Sequence, residues 1–469
     1  MRGFNTCEQI PLLASIALGS GFLQSETMKS TKANLLQLAN ACSCCALLAA
    51  LFLSSGCAST RTRANLPWDW TGIVGTGQSL SVGASPVLST NQPHGNLKLS
   101  SGRLPWPVNP DATNLALVPL VEPVGRHAPA YPSSWPENIY GETPHSAMAN
   151  QLTAMVRSQL GRDFVSVHGA VGESGQGMVF IKKNAVPKGV NGHAYEASLI
   201  EAKAVTRLAK AAGKTYGIGA IVLTHGENDA GNANYKQEIH QLWQDYNADL
   251  PAITGQKEEI QMILSQQNSC NDRSPSTLAQ WQISDGFPAD MVCSGPKYQY
   301  QSPDGVHLTS EGYRLLGEKY AEVYFQRVIL GHDWRPLEPT GVERYGKILT
   351  VHFRVPAPPL VWEKDFELPH SSSAAWKNGK GFEVSSAGGD KVAIVSAEIA
   401  GSDVIITCAT DVGSSARLSY AMIGEKPRMQ TPFQGTYRWG LLRDSDPFQG
   451  AVTGTPQPNY GVAFELLVP

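Results

Sequence analysis

Two architectures in series are predicted: an α/β domain built on a parallel sheet covered on both faces, then an all-β domain of the sandwich or jelly-roll kind. Three observations carry this. From about residue 67 to 330, short apolar runs alternate with amphipathic helical stretches, the pattern of βαβ units. After GHDWRPLEP (331–339), apolar residues recur with period two and helical periodicity nearly vanishes. Gly (45) and Pro (31) are numerous, which suits turn-rich folds and disfavours a helical bundle.

Composition sets the outer limits. With 469 residues the soft prior is two or three domains, at about 150 residues each. Hydrophobic residues at 42% and a net charge of −3 exclude a disordered chain. No basic excess exists to neutralise phosphates, so nucleic acid is not an expected partner. No apolar stretch after residue 60 is long enough to span a bilayer.

The N-terminal element is an address. Residues 28–57 place Lys29 and Lys32 before an apolar run, Ala46 to Leu53, and then Ser54, Ser55, Gly56 and Cys57. Charge, apolar core and small residues in that order mark an export signal. The Gly-Cys ending resembles a bacterial lipoprotein signal, in which Cys57 becomes the lipidated first residue. Leu53 stands four residues before Cys57, where three is commoner; ordinary cleavage and an uncleaved anchor are the alternatives. The expectation is a leader over 1–57, with Met28 a second candidate start, and a polar tether over 58–66. It implies an exported protein anchored to a membrane on its periplasmic or cell-surface side.

Next come the strands and helices. Residues 71–77, 163–170, 218–226 and 260–267 read as buried strands; 145–161, 196–213, 235–250 and 310–329 read as helices. The insertion over 85–140 is long and Pro-rich, and is expected to shape one wall of a cleft. Period-two runs such as KILTVHFRV, SDVIITCAT and YGVAFELLV supply the strands of the all-β domain, placed at 331–469. Outside the leader only Cys270, Cys293 and Cys408 remain. Cys270 and Cys293 either pair around a Ser/Pro/Gln-rich excursion or stay as thiols, and Cys408 reads as a buried small hydrophobe.

Chemistry gathers at the strand ends. GTGQSLSVG (75–83) sets Ser79 in a glycine turn, at the sheet edge where open α/β sheets bind ligands. SVHGAVGESGQG (166–177) is a strand followed by a glycine-rich loop whose N–H groups can face an anion; no GK[ST] follows, so it is not a phosphate loop. THGENDAG (224–231) offers the Asn228 amide as an oxyanion donor, with Glu227 and Asp229 as metal ligands the weaker alternative. SPDGVHLTSEGY (302–313) places Asp304 three residues before His307, a spacing that lets a carboxylate orient an imidazole. Each segment alone is a common loop; the four in this chain order are not.

Together they resemble the SGNH/GDSL hydrolase superfamily, over about residues 68–330. Gln78 stands where Asp is common, and this GQS form is similar to the sialate O-acetylesterase and carbohydrate acetylesterase branch. The resemblance implies a flavodoxin-like three-layer α/β/α catalytic domain over 67–330. It implies Ser79 as nucleophile, His307 as general base and Asp304 as its partner. The oxyanion hole would come from the N–H groups of Ser79 and Gly172 with the Asn228 side chain; Gly169 and Gly175 are register alternatives for Gly172. No metal or organic cofactor is required. An acylated polysaccharide or glycan is the expected substrate, the acyl group most simply acetyl. Gln78, Glu173 and His225 are possible substrate contacts. His225 and Glu173 read equally well as packed or solvated loop residues. The other His residues, His94, His127, His145 and His168, read as structural, and Trp68, Trp70, Trp106 and Trp135 as packing under loops. Two other functions remain open: an esterase for lipid, aryl or polyester bonds, and a surface glycan-binding lipoprotein without turnover.

Overall fold

The computed structural model describes residues 64–100, 109–125, 141–189, 191–268, 273–364, 374–422 and 439–469, with the side chains of 374–376 excepted. The leader, Cys57, Cys270, His127, Trp106 and Trp135 lie outside the described residues. Residues 62–469 make one compact unit.

A seven-stranded sheet organises the first part, in the order β3-β2-β4-β1-β5-β6-β7. Its parallel core consists of β4 (Ser166–Ala170), β1 (Trp70–Gly77), β5 (Tyr216–Thr224), β6 (Gln261–Gln266) and β7 (Met291–Pro296). Numbered by appearance, these five run 2-1-3-4-5, the doubly wound order whose switch point lies beside β1. The Pro-rich insertion contributes β2 (Leu97–Leu99), parallel to β4, and β3 (Leu117–Pro119), antiparallel to β2. Part of it therefore extends the sheet edge.

Side-chain alternation sets the layers. Val74, Ile221, Leu223, Met262 and Leu264 pack on one face against Ala197, Tyr246 and Ile283. Their immediate neighbours Ile73, Ala220, Val222 and Ile263 pack on the other face against Met148, Leu152, Leu316 and Tyr320. A strand puts successive side chains on opposite faces, so near-continuous apolar runs bury both. The first face carries α4 (Ala194–Ala211), α5 (Tyr235–Thr254) and α6 (Pro275–Gly286), with the one-turn α3 (Met178–Ile181). The second carries α2 (Pro144–Leu160) and α7 (Ser310–Tyr324), and α1 (Ser79–Val82) is the one-turn helix that follows β1.

Caps explain the helix limits. Thr143 accepts the His145 N–H at 3.1 Å with Pro144 in the first turn, and α2 ends before the left-handed Gly161. Thr309 accepts the Gly312 N–H at 3.1 Å and starts α7 two residues after His307. Beyond Tyr324 the predicted helix continues as a π turn, Phe325–Ile329. The excursion expected between Cys270 and Cys293 is instead largely α6. Its buried face carries Ser276, Gln280 and Ser284, bonded to Gly226 O, His225 O and the Cys293 N–H, so no apolar stripe announces it. Cys293 is a free buried thiol, pushed up to about 12 by burial, and Cys408 is likewise free and buried.

After Leu330 every strand pair among the described residues is antiparallel. One four-stranded sheet runs β13 (Ile394–Ala400), β14 (Asp403–Cys408), β9 (Ile348–Arg354), β8 (Glu338–Tyr345). The other runs β12 (Lys391–Val392), β11 (Phe382–Ser385), β15 (Arg417–Tyr420), β17 (Phe464–Leu467), and β10 (Val361–Trp362) pairs with β16 (Leu442–Arg443) in a two-stranded sheet. Val351, Val404 and Ile406 of the first share a core with Phe382, Leu418 and Phe464 of the second. Trp281 and Tyr298 of the α/β part belong to the same core. Polar contacts cross as well: Gln266 exchanges two bonds with the Ala463 backbone, at 2.7 and 2.8 Å. Glu318 on α7 accepts from the Val452 and Thr453 N–H groups, the Thr453 hydroxyl and the Gln457 amide.

A buried carboxyl pair supports the segment that follows the Ser79 turn. Glu142 accepts from the Leu88 and Ser89 N–H groups at 2.7 and 2.9 Å. Glu122 accepts from the Thr143 hydroxyl at 2.6 Å and the Val124 N–H at 3.0 Å. Burial, then the neighbouring Glu142 carboxylate, pushes Glu122 up to about 7. The folded state therefore binds a proton that the unfolded chain releases near its ordinary value of 4.5. Stability from this group is complete below about 4.5 and is lost as pH rises through about 7, by on the order of 3 kcal/mol. Urea unfolding between about pH 4.5 and 8 should show that fall in the wild type and its loss in Glu122→Gln.

Candidate active site

Strand β1 ends at Gly77, whose φ of 137° is a conformation side chains rarely adopt, and where a Cβ would stand 2.1 Å from Thr224 O. Glycine lets the chain turn there while β1 stays tight against the end of β5. Ser79 opens α1 immediately afterwards, held by Gly83 N–H to Ser79 O at 3.0 Å, and Ser81 closes the turn onto Gln78 O. The hydroxyl is thus presented at the carboxyl edge of the sheet, beside the switch point.

The loop before α7 meets it. His307 Nε2 lies 2.8 Å from Ser79 Oγ, and His307 Nδ1 lies 2.5 Å from Asp304 Oδ2. Asp304 Oδ1 also accepts the backbone N–H groups of Val306 and His307, at 2.9 and 2.6 Å. The carboxylate that holds the ring thereby also folds the loop that carries it. Partial burial pulls Asp304 up, but the hydrogen bond and charge of His307 and the two N–H groups outweigh it, and the group sits below its ordinary value. Ser302 Oγ donates to His307 O at 2.7 Å, and Ser85 Oγ to Leu308 O at 2.6 Å. The second bond ties the serine segment to the histidine segment.

The 166–177 and 224–231 segments flank these three residues. Val171 and Glu173 donate their N–H groups to Gly75 O and Gly77 O, at 2.8 and 2.9 Å, so the glycine-rich loop continues the ladder past β4. Gly172 lies between them, where a Cβ would be 2.8 Å from Gly77 O and 1.9 Å from Ser81 Oγ. Of the three register candidates only Gly172 touches the serine turn; Gly169 faces Glu201 and Gly175 faces open space. Asn228 is exposed on a single 3-10 turn, Glu227–Asp229, after β5. Its N–H donates to Gln78 Oε1 at 3.2 Å, joining the first and third blocks.

The three residues read as possible substrate contacts are all buried and bonded to other parts of the chain. Gln78 is buried and its amide oxygen is used by Asn228, so it braces the two loops. Glu173 is buried and accepts the Gly192 and His193 N–H groups at 2.8 and 2.9 Å, ahead of α4. His225 is fully buried, with Nδ1 at 2.7 Å from the Tyr235 hydroxyl and Nε2 at 3.0 Å from Gln176 O. Asp229 Oδ2 accepts the Met178 N–H at 2.6 Å, which ties the Asn228 turn to the start of α3. His145 and His168 form a buried ring pair with their Nδ1 atoms 3.0 Å apart, and burial pushes His145 down to about 4. Trp68 packs over Gly217 and Trp70 starts β1, both at the strand ends opposite Ser79.

One functional feature escaped the reading of the sequence. Lys297, just past β7, donates to Glu227 Oε1 at 2.9 Å, and both side chains are essentially inaccessible. Glu227 is the residue before Asn228, so the pair anchors the turn that presents the amide. No local motif marks a lysine 70 residues away as its partner. The buried Tyr313 hydroxyl senses both Asp304 and Glu227, and burial pushes it well above its ordinary value.

Residues 170–326 match a family described as carbohydrate esterase, sialic acid-specific acetylesterase. That span holds Gly172, Asn228, Asp304 and His307 and begins after Ser79. Among solved structures, a carbohydrate acetylesterase from Xanthomonas citri aligns at 11% identity over 85% of this chain and 80% of its own, with a TM-score of 0.50. A protein from Arabidopsis thaliana aligns at 17% identity over 56% of this chain and 100% of its own, with a TM-score of 0.39. A carbohydrate acetylesterase from Sinorhizobium meliloti aligns at 14% identity over 54% and 97%, with a TM-score of 0.30. No curated protein matches. The chain is similar to carbohydrate esterases over the matched span, and it shares the fold of the Xanthomonas structure across both of its parts.

Removing Lys297 should be costly, because it strands a buried carboxylate. Lys297→Met is expected to lose roughly 3–5 kcal/mol in denaturant unfolding, and Lys297→Met with Glu227→Leu to regain most of it.

Proposed function

We propose that this chain, a carboxylic ester hydrolase by its family match and its serine–histidine–aspartate relay, removes O-acetyl groups from carbohydrate. The observation that carries the mechanism is the unbroken chain Ser79 Oγ–His307 Nε2, His307 Nδ1–Asp304 Oδ2. The matched family supports the acetylated sugar.

Ser79 Oγ attacks the ester carbonyl while His307 Nε2 takes its proton. Asp304 holds the Nδ1–H tautomer and stabilises the imidazolium as charge develops. The tetrahedral oxyanion is held by the N–H groups of Ser79 and Gly172 and by the Asn228 side chain. Collapse breaks the bond to the sugar oxygen, which receives the proton from His307. Water, activated by the same imidazole, then releases acetate from Ser79.

The α/β catalytic domain spans 67–330 and the all-β domain 331–469 is a sandwich that braces it, a role that the Glu318 and Gln266 contacts support. The leader over 1–57 exports the protein, and lipid on Cys57 anchors it at a membrane facing polysaccharide.

Ser79→Ala and Asp304→Asn are each expected to lower kcat by about 10⁴-fold or more. Asn228→Ala should lower kcat by roughly 10²–10³ with little change in KM. Hydrolysis of p-nitrophenyl acetate, butyrate and octanoate, with acetate release from acetylated polysaccharide, checks these values. Preference for octanoate and no release from polysaccharide would transfer the reading to lipid esters.

A further inference from the structure

The turn that carries Asn228 is seated on a second segment, and one position in that segment has no side chain. Residues 176–178 end the glycine-rich loop and open α3. Two hydrogen bonds join them to the neighbourhood of the turn. Before it, His225 Nε2 lies 3.0 Å from Gln176 O; a carbonyl only accepts, so this nitrogen carries the ring proton. At its end, Asp229 Oδ2 accepts the Met178 N–H at 2.6 Å, while Asp229 Oδ1 accepts the Asn232 amide at 3.2 Å. Gly177 stands between the two bonded residues, opposite Asn228.

A Cβ on Gly177 would lie 3.2 Å from Asn228 Nδ2, and 3.1 and 3.4 Å from the two Asp229 carboxylate oxygens. Uncrowded contacts of this kind fall at about 3.5–4.0 Å, so a methyl group would force a shift of a few tenths of an ångström. The hydrogen bonds decide which neighbour gives way. Both Asp229 oxygens are held. The Asn228 side chain is exposed and its amide has no hydrogen bond among the described residues, so it is the group that moves. The backbone makes no demand for glycine here. With φ −85° and ψ 175°, Gly177 has a conformation open to any residue, unlike Gly77 at the end of β1. What glycine contributes at 177 is the missing Cβ alone.

We infer that Gly177 is a positioning residue for ester hydrolysis: its lack of a side chain leaves the Asn228 amide where it meets the oxyanion, and any Cβ at this position displaces that donor. The inference rests on the oxyanion role proposed for Asn228 above. Gly177 touches neither the ester nor the reacting atoms and acts through Asn228. Oxyanion donors work over a narrow range, about 2.7–3.1 Å, so a small displacement matters to the transition state. It matters little to the fold. Alanine is a weaker helix cap than glycine, but it also restricts the unfolded chain, and the two effects oppose each other.

The test measures p-nitrophenyl acetate hydrolysis and urea unfolding for the wild type, Gly177→Ala, Gly177→Ser, Asn228→Ala and the Gly177→Ala/Asn228→Ala double variant. Acylation and deacylation both pass through a tetrahedral oxyanion, so kcat reports the donor whichever step limits. Misplacing a reacting group by about 1 Å can cost about 10²-fold, and the smaller shift here should lower kcat in Gly177→Ala by about tenfold, with KM changed by less than about twofold. Gly177→Ser adds the same Cβ with a better helix cap, and should lose kcat while unfolding no earlier than the wild type. In the Asn228→Ala background, Gly177→Ala should lower kcat no further, because the donor it displaces is gone. Wild-type kcat in both Gly177 variants overturns the inference. So does a tenfold loss that persists in the Asn228→Ala background, or a loss of kcat that comes with a lowered unfolding midpoint in both Gly177 variants. Unchanged kcat in Asn228→Ala overturns the oxyanion role of Asn228 and this inference with it. A wild type that cleaves no ester overturns the proposed function itself.

Discussion

A 2.8 Å hydrogen bond between Ser79 and His307 spans 228 residues of sequence, and most of the architecture serves to make it possible. Neither group can reach the other through local structure. Ser79 depends on β1, and His307 on a loop whose far end is capped into α7. The parallel order of the sheet brings both ends to one edge, since βαβ connections return every strand in the same direction. Helix α2 then packs on α7 on one face of that sheet, which fixes the angle at which the histidine loop leaves its helix.

The support extends beyond the α/β part. Helix α7 begins beside His307 and is gripped further along by the C-terminal chain, through Glu318 and through Lys319, whose ammonium donates to Gln457 O and Asn459 Oδ1. Such carboxylate and ammonium groups are costly to bury and are retained only where several partners meet them. Their presence makes the all-β part a continuation of the scaffold that positions His307. The Lys297–Glu227 pair does the same for the turn that carries Asn228, so each side of the Ser79–His307 cluster rests on a buried polar anchor contributed by a distant segment.

Much of this was legible in the residues. The strands at 71–77, 218–226 and 260–267 were readable because both faces of a parallel sheet are buried, which leaves apolar runs. Ser79, Asp304 and His307 were readable because their glycine and loop contexts are local, and the structure brings the three together. What escaped was non-local or polar. Helix α6 buries serines, a threonine and a glutamine among Ala279, Trp281 and Ile283, which breaks up an apolar stripe. Lys297 has no motif around it. His225 and Glu173 sit next to motif residues, yet their roles depend on whether the loop buries them, which Tyr235 and the 192–193 backbone decide. The short strands β2 and β3 were hidden in a Pro-rich insertion because edge pairing needs only a few residues.

In the proposed reaction Ser79 carries the acyl group between the two half-reactions. This is tested most directly by quenching the purified protein in acid during turnover of p-nitrophenyl acetate and locating any acetyl group by peptide mass mapping. One acetyl group is expected, on the peptide that contains Ser79, and none on that peptide in Ser79→Ala. Turnover that persists in Ser79→Ala, or an acetyl group found only on another residue, would contradict it.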